Sequence, residues 1–431
     1  MRWQQVKREG TTPLDRSNKW YILAVATAVM TLNYVDRNVM NVIIEPVKHE
    51  FGLSDSAMGL LSGLAHAIAF SVLVLPLGAL ADRVNRVRLV SIALVIWSLL
   101  TALSAFATGF MTMFLSRMGV GAAEAAGPST TVSLLSDSFT PKERPTAIGI
   151  YYMHASIGTG LIFLIGGWTA EHFGWRACFL LAGFPGLLLA LLIATTLREP
   201  RRTEEPFPDK PVKPTIGAFA RDVSHNRSLQ IILAAGTVAT IAQMSLLAWI
   251  ASFFVRAHHL SLVDAGILVA SIAGPAKAFG SLISGPLTKL MAGDDRRATW
   301  RSPGLMLALT VPLAWAMISA NTTGQSLTWA ILLGVAAGGW AAPAIVILLE
   351  SAPPSVRGSS VGLYQLCVNL IGSSLGPFAT GLISDLLGGD AAIGQALATS
   401  MSINLVAALG FYLACRSLPA APQPVPGSAI T

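Results

Sequence analysis

Charge is what this sequence has least of. Only 12% of its 431 residues are Asp, Glu, Lys or Arg, against roughly 25% in a soluble domain. With 53% hydrophobic residues and a mean hydropathy of +0.62, a water-soluble globular chain is excluded. Cysteine is as scarce. Cys178, Cys367 and Cys415 each fall in an apolar stretch at no metal-ligand spacing, so neither a disulfide framework nor a metal site is expected. The chain has no G-x-x-x-x-G-K-[ST] phosphate loop, which argues against an ATP-driven pump. It carries no nucleophile triad and no metal-ligand helix motif, so an integral-membrane enzyme is the distant alternative class and no cofactor is expected. The opening stretch MRWQQVKREGTTPLDRSNKW lacks the apolar core and cleavage site of a signal peptide. The first membrane helix is expected to direct insertion instead.

What the sequence has is long apolar runs. A run of about 20 residues can span a bilayer as a helix. Twelve such runs lie at roughly 20–44, 56–80, 87–107, 110–136, 144–169, 175–197, 229–255, 262–290, 303–320, 326–349, 357–387 and 395–417. An even number puts both termini on one side. About 23 of the 29 Lys and Arg fall in segments on that side and about three on the other, which makes the basic side cytoplasmic. This asymmetry also accounts for the net charge of +7 without a nucleic-acid partner. The expected organisation is a cytoplasmic segment 1–19, a six-helix bundle 20–197, a proline- and charge-rich linker 198–228, a second bundle 229–417 and a disordered tail 418–431.

The halves repeat. DSFTPKERPTAIGIYY from Asp137 matches ESAPPSVRGSSVGLYQ from Glu350 without a gap, pairing Arg144 with Arg357 and Tyr151 with Tyr364. Leu53-Ser54, Gly59 and Gly78 align with Leu260-Ser261, Gly266 and Gly285 at one constant spacing. Two six-helix halves in the same orientation form a parallel repeat, and such folds hold substrate near the midplane between the halves.

Against this background, three of the 29 basic residues stand out, because Arg37, Arg117 and Lys277 lie inside apolar runs. Asp36 and Glu124 are the acids beside them. A charge at the bilayer centre costs at least about 2.5–3.5 kcal/mol, so such residues pair with one another or face a substrate or ion pathway. Arg117 and Glu124 are nearly two turns apart and share a helix face. Helix side chains lean towards their own N-terminus, so Arg37 is expected to meet Glu124, while Asp36, about 100° round the helix, is expected to meet Arg117 or a neighbouring helix. Arg37, Arg117, Glu124, Lys277, Tyr151 and Gln243 are the expected substrate contacts, with Glu124 and Asp36 coupling a proton. His66 and His154 read as packing or hydrogen-bonding residues. Gln365 and Asn369 read as cavity groups or interhelical contacts.

Several motifs carry a family resemblance. GALADRVNRVR from Gly78 resembles the loop signature of the major facilitator superfamily, with a degenerate copy, GPLTKLMAGDDRR, at Gly285. There Lys289 replaces the acid. GTGLIFLIGG, GSSLGPFATG and FGWRACF fit the same superfamily. Within it, NYVDR at Asn33, SRMGVGAAEA at Ser116, LLSDSFTPKER at Leu134 and LREP at Leu197 resemble the Spinster branch. Together these motifs cover about residues 18–417. The resemblance implies an all-α, twelve-helix alternating-access transporter of the inner membrane, acting as a monomer with both termini cytoplasmic. It implies a conformational latch at Gly78, Asp82, Arg83, Arg86 and Arg144. Animal members of the branch move sphingosine-1-phosphate and lysophospholipids, which implies an amphipathic anionic substrate. The competing resemblance is to organic-anion symporters that move sugar acids and also carry a first-helix Asp-Arg.

Overall fold

The computed structural model describes residues 16–200, 216–293, 295–353 and 356–417, and every regular element in them is helical. The expected tail 418–431, most of segment 1–19 and the middle of the linker lie outside the described residues. The linker is not wholly irregular, since Ile216–His225 forms a short helix leading into the second half.

Twelve spans form two groups of six. The first half contains α1 (Arg16–Val42), α2 (Asp55–Ala81), α3 (Arg86–Ser104), α4 (110–138), α5 (Arg144–Phe173) and α6 (Trp175–Thr196). The second contains α7 (Arg227–His258), α8 (Leu262–Ala292), α9 (Arg301–Ile318), α10 (Thr323–Ser351), α11 (Ser359–Leu387) and α12 (Gly389–Arg416). Ten of these are long and apolar enough to cross a membrane on length and composition alone. The two that fall short are α1 and α4, the helices that carry Asp36, Arg37, Arg117 and Glu124. In α4 the helix stops at Glu124 and restarts at Gly127, with Pro128 in the first turn, where its missing N–H costs nothing. Leu75, Phe106, Leu282 and Leu290 are 70–84% exposed, an outward face that suits lipid and not water.

Hydrogen bonds gather the helix ends that adjoin the termini. Tyr21 meets Thr196 at 2.5 Å, Lys19 meets Glu143 at 2.7 Å, Asn226 donates to the Ser351 carbonyl at 2.7 Å, and Ser228 meets Ser417 at 2.6 Å. Both ends of the described chain therefore lie at one end of the bundle, here called the basic end.

The two ends of the bundle are packed differently. At the far end one apolar core takes in both halves, running from Met40, Ile43 and Met58 to Trp249, Phe254 and Met401. At the basic end there are two separate cores, one around Trp97 and Tyr151 and one around Leu307 and Phe411. The bundle is thus sealed at the far end and parted at the basic end.

Two glycines of the internal repeat explain how close the seal is. A Cβ on Gly59 in α2 would lie 2.4 Å from the Pro377 carbonyl of α11, and one on Gly266 in α8 would lie 2.2 Å from the Phe163 carbonyl of α5. Only glycine lets these backbones touch across the halves. The repeat extends to hydrogen bonds. Arg144 Nε donates to the Ser136 carbonyl at 2.9 Å, and Arg357 Nε donates to the equivalent Leu349 carbonyl at 3.1 Å.

Candidate functional site

Among the described residues three π-turns interrupt the spans: Leu60–Leu64 in α2, Ile272–Ala276 in α8 and Val368–Gly372 in α11. A π-turn rotates the residues that follow it and is frequent at functional sites. Here the turns hold or adjoin His66, Lys277, and the pair Asn369 and Ser373. Nothing in the hydrophobic pattern announces them, because a single inserted residue barely disturbs an apolar run.

The buried charges form one cluster in the first half. Arg117 donates from Nη1 to Asp36 Oδ1 at 2.8 Å and from Nη2 to the Asp36 backbone carbonyl at 2.8 Å. Thr101 of α3 donates to the second Asp36 oxygen. Asp36 and Arg117 are each 1% exposed, so the pair is fully desolvated. The Phe179 ring lies 6.0 Å from the Arg117 guanidinium carbon. The expected Asp36–Arg117 contact is present.

The expected Glu124–Arg37 contact is not. Glu124 Oε2 instead meets His66 Nε2 of α2 at 2.7 Å, while its Oε1 is buried with no hydrogen-bond partner. The reason is rotational. Arg37 follows Asp36 by one residue and so points about 100° away from it around α1. With Asp36 turned into the first half, Arg37 is turned out towards the second. Its Nη2 donates to Ser373 Oγ at 3.0 Å and Asn369 Oδ1 at 3.4 Å, both in α11. His66, read from sequence as a packing or hydrogen-bonding residue, does hydrogen-bond, but its partner Glu124 makes it a member of the charged cluster, which sequence reasoning missed. Its histidine type inside an apolar run was the available signal.

Arg37 makes no ion pair among the described residues. Beside it lies a cavity of about 30 Å³ lined by Asn38, Asn41, Ser62, His66 and Ser373, room for one or two waters. Lys277 also makes no ion pair among the described residues and is exposed. Ser281, Ser284 and Thr288 lie within about 40° of Lys277 around α8, and the exposed Phe279, Leu282 and Leu290 lie about 140–160° away. Lys277 therefore shares a polar stripe on the face turned away from the apolar, lipid-facing one.

Two expected contacts sit elsewhere. Tyr151 is 2% exposed, packs in the first-half core and bonds Thr131 Oγ1 at 2.8 Å. Gln243 donates to the Ala337 carbonyl at 3.1 Å, an interhelical bond between α7 and α10. Of the latch residues, Arg86 is 1% exposed and reaches Asp137 at 2.5 Å, Glu199 at 2.7 Å and Ser133 at 2.9 Å, joining the starts and ends of α3, α4 and α6. Asp82 and Arg83 are exposed. A Cβ on Gly78 would sit 3.6 Å from Ser129, ordinary contact, so no close approach requires glycine there in this conformation.

The far-end seal is itself charged. Arg256 of α7 grips Asp55 with both terminal nitrogens at 2.9 Å and Glu45 through Nε at 2.9 Å. Lys48 adds an ion pair to Asp55 at 2.6 Å and another to Asp390. Asp385 of α11 accepts the Asp55 and Ser56 backbone N–H groups at 2.9 and 2.8 Å, capping the start of α2 from the opposite half. Arg176, the third basic residue at this end, pairs with Glu50 at 2.7 Å within the first half. Hydrogen bonds from Arg176 and Trp175 hold the Glu50 carboxyl below the usual carboxylate range.

A two-half helical bundle, sealed at one end and parted at the other with charges at the joint, defines a secondary transporter and not an enzyme. The chain belongs to the Major Facilitator Superfamily, whose model matches residues 26–377. It is similar in structure to a bacterial homologue of the human lysosomal transporter Spinster in an inward-facing, unoccupied conformation. The TM-score is 0.84 and the identity 26%, over 95% of this chain and 98% of that one. It is 27% identical to an MFS-type efflux pump of Mycolicibacterium smegmatis, over 92% of each chain. It is 26% identical to the sphingosine-1-phosphate transporter SPNS2 of Danio rerio, over 83% of this chain and 74% of that protein.

Proposed function

We propose that this Spinster-like transporter moves an amphipathic molecule with an anionic head group, coupled to protons, by alternating access. One observation carries the reading. Of the three interior cations, Arg117 is neutralised by Asp36, whereas Arg37 and Lys277 have no anionic partner among the described residues. Arg37 is half-buried and Lys277 exposed, so both can be reached, and an incoming phosphate or carboxylate supplies the missing anion. Arginine suits this role because its planar fork binds both oxygens. Arg37 also spans the joint between halves, so exchanging Ser373 and Asn369 for a substrate oxyanion alters what α1 and α11 hold in common.

The charge count supports proton coupling. With His66 neutral, Asp36, Glu124, Arg37 and Arg117 sum to zero. Protonating Glu124 leaves the cluster at +1 without changing a contact to Arg37. An anion then binds more tightly, and by linkage a bound anion favours the proton. Glu124 acts on Arg37 through space and not as its partner. The basic end is the cytoplasmic one in this reading, which makes the described state inward-facing.

Proteoliposomes containing the purified protein test it, with sphingosine-1-phosphate and galactarate as the two probes. Glu124→Gln keeps substrate binding but loses the pH dependence of transport and accumulation against a gradient. Undiminished proton-driven accumulation by this variant moves the coupling role to Asp36. Arg37→Lys keeps the charge but loses the fork, and transport falls at least about tenfold with folding intact. Uptake of galactarate and not of the amphiphile points to the sugar-acid reading.

A further inference from the structure

The internal repeat is broken at the basic end of α10. In the first half, Asp137 at the end of α4 is met by Arg86, the first residue of α3, whose guanidinium also reaches Ser133 of α4 and Glu199 just beyond α6. Glu350 holds the place of Asp137 in the second half, fixed by the matching Arg144–Ser136 and Arg357–Leu349 hydrogen bonds. The first residue of α9 is again an arginine, Arg301, but it is exposed and donates to the Met291 carbonyl at 3.0 Å. No cation of the described residues takes its place. Glu350 Oε2 is buried with no hydrogen-bond partner. Beside it, between α8 and α10, lies a cavity of about 470 Å³ lined by Ser284, Thr288, Lys289, Asp295, Val346 and Glu350.

A buried carboxylate oxygen without a donor is rare and costly. The volume falls inside the range of about 300–1,000 Å³ typical of small-molecule sites. Lys289 lines the same cavity yet makes no ion pair with Glu350 or Asp295. Glu350, Asp295 and Lys289 together leave the lining with a net charge of −1. Pro343, Val346 and Ala292 give the walls an apolar surface.

We propose that this cleft is a second binding site, separate from the Arg37 region, for an amphipathic organic monocation. Its guanidinium or protonated amine donates to Glu350 in the place that Arg86 occupies in the first half. Its apolar body lies against Pro343 and Val346. The ligand restores the ion pair that the repeat lost, and it does so on the parted side of the bundle, where the cleft is open.

The probe is butylguanidinium, too short-chained to form micelles, titrated calorimetrically into the full-length protein in nanodiscs. Butyl sulfate is the anionic control. Saturable butylguanidinium binding is expected, with none for butyl sulfate. Glu350→Gln, which keeps the shape but removes the charge, weakens it about tenfold or more. Val346→Phe fills the cleft while leaving Glu350 intact, and abolishes binding. This variant keeps the test decisive if Glu350→Gln folds poorly. Lys289→Ala removes a competing cation and leaves binding equal or tighter. Equal affinity of wild type, Glu350→Gln and Val346→Phe overturns the proposal, as does absence of binding in both wild type and Lys289→Ala.

Discussion

Arg256→Ala isolates the force that holds the far end shut. The Arg256 side chain is 8% exposed and the Asp55 side chain 0%, so the bidentate pair is desolvated in the sealed state. Removing one partner of a buried pair costs about 3–5 kcal/mol, because the other charge is left behind. The lower figure applies here, since Asp55 keeps Lys48 at 2.6 Å and Ser384 at 2.7 Å. When the halves separate at this end, Asp55 and Glu45 reach water, so the loss falls on the sealed state alone. A shift of about 3 kcal/mol changes the ratio of states by roughly 150-fold. A bundle resting at 99:1 would then populate both states about equally. Spin labels at His49 and Leu387, exposed residues of opposite halves at that end, read the outcome by pulsed dipolar spectroscopy. A second, longer distance population is expected in Arg256→Ala. Arg256→Lys is expected in between, because an ammonium cannot span both Asp55 oxygens in the same way. An unchanged distance distribution in a folded Arg256→Ala protein refutes the idea that these ion pairs hold the seal.

Other expectations rest on separate observations. Gly266→Ala drives a Cβ to 2.2 Å from the Phe163 carbonyl, so α5 and α8 must part. The same label pair should lengthen and transport should fall, and normal uptake would show that the helices accommodate the methyl. Arg86→Ala leaves Asp137 and Glu199 without their buried cation and should lower stability by about 3–5 kcal/mol, read as the unfolding temperature in detergent. Arg83→Ala, at an exposed position, should change stability by no more than about 0.5 kcal/mol. For orientation, a membrane-impermeant maleimide on intact cells should label Ala257→Cys at the far end and not Arg221→Cys in the linker. The reverse pattern would turn the transporter over.

The sequence by itself determined the class of fold. Apolar run length, the even number of runs, the one-sided distribution of Lys and Arg and the gapless repeat at Asp137 and Glu350 are one-dimensional signals. Bilayer thickness converts run length into spans and the gapless repeat divides them into halves, while the placement of Lys and Arg yields an expected orientation. The cost of charge in lipid likewise marked Asp36, Arg37, Arg117 and Glu124, which lie in α1 and α4, the two spans outside the ten that are long and apolar enough on their own. Partner choice was decided only in three dimensions. Asp36 and Arg37 are adjacent in sequence, yet the rotation of α1 sends one to Arg117 and the other across the joint to Ser373. Glu124 found His66 because α2 carries a π-turn just before it, and one extra residue in a turn leaves the hydropathy pattern unchanged. The far-end ion pairs join Glu45, Asp55 and Arg256 over about 200 positions of sequence. No local pattern encodes such a contact, because it exists only when the two halves close on each other.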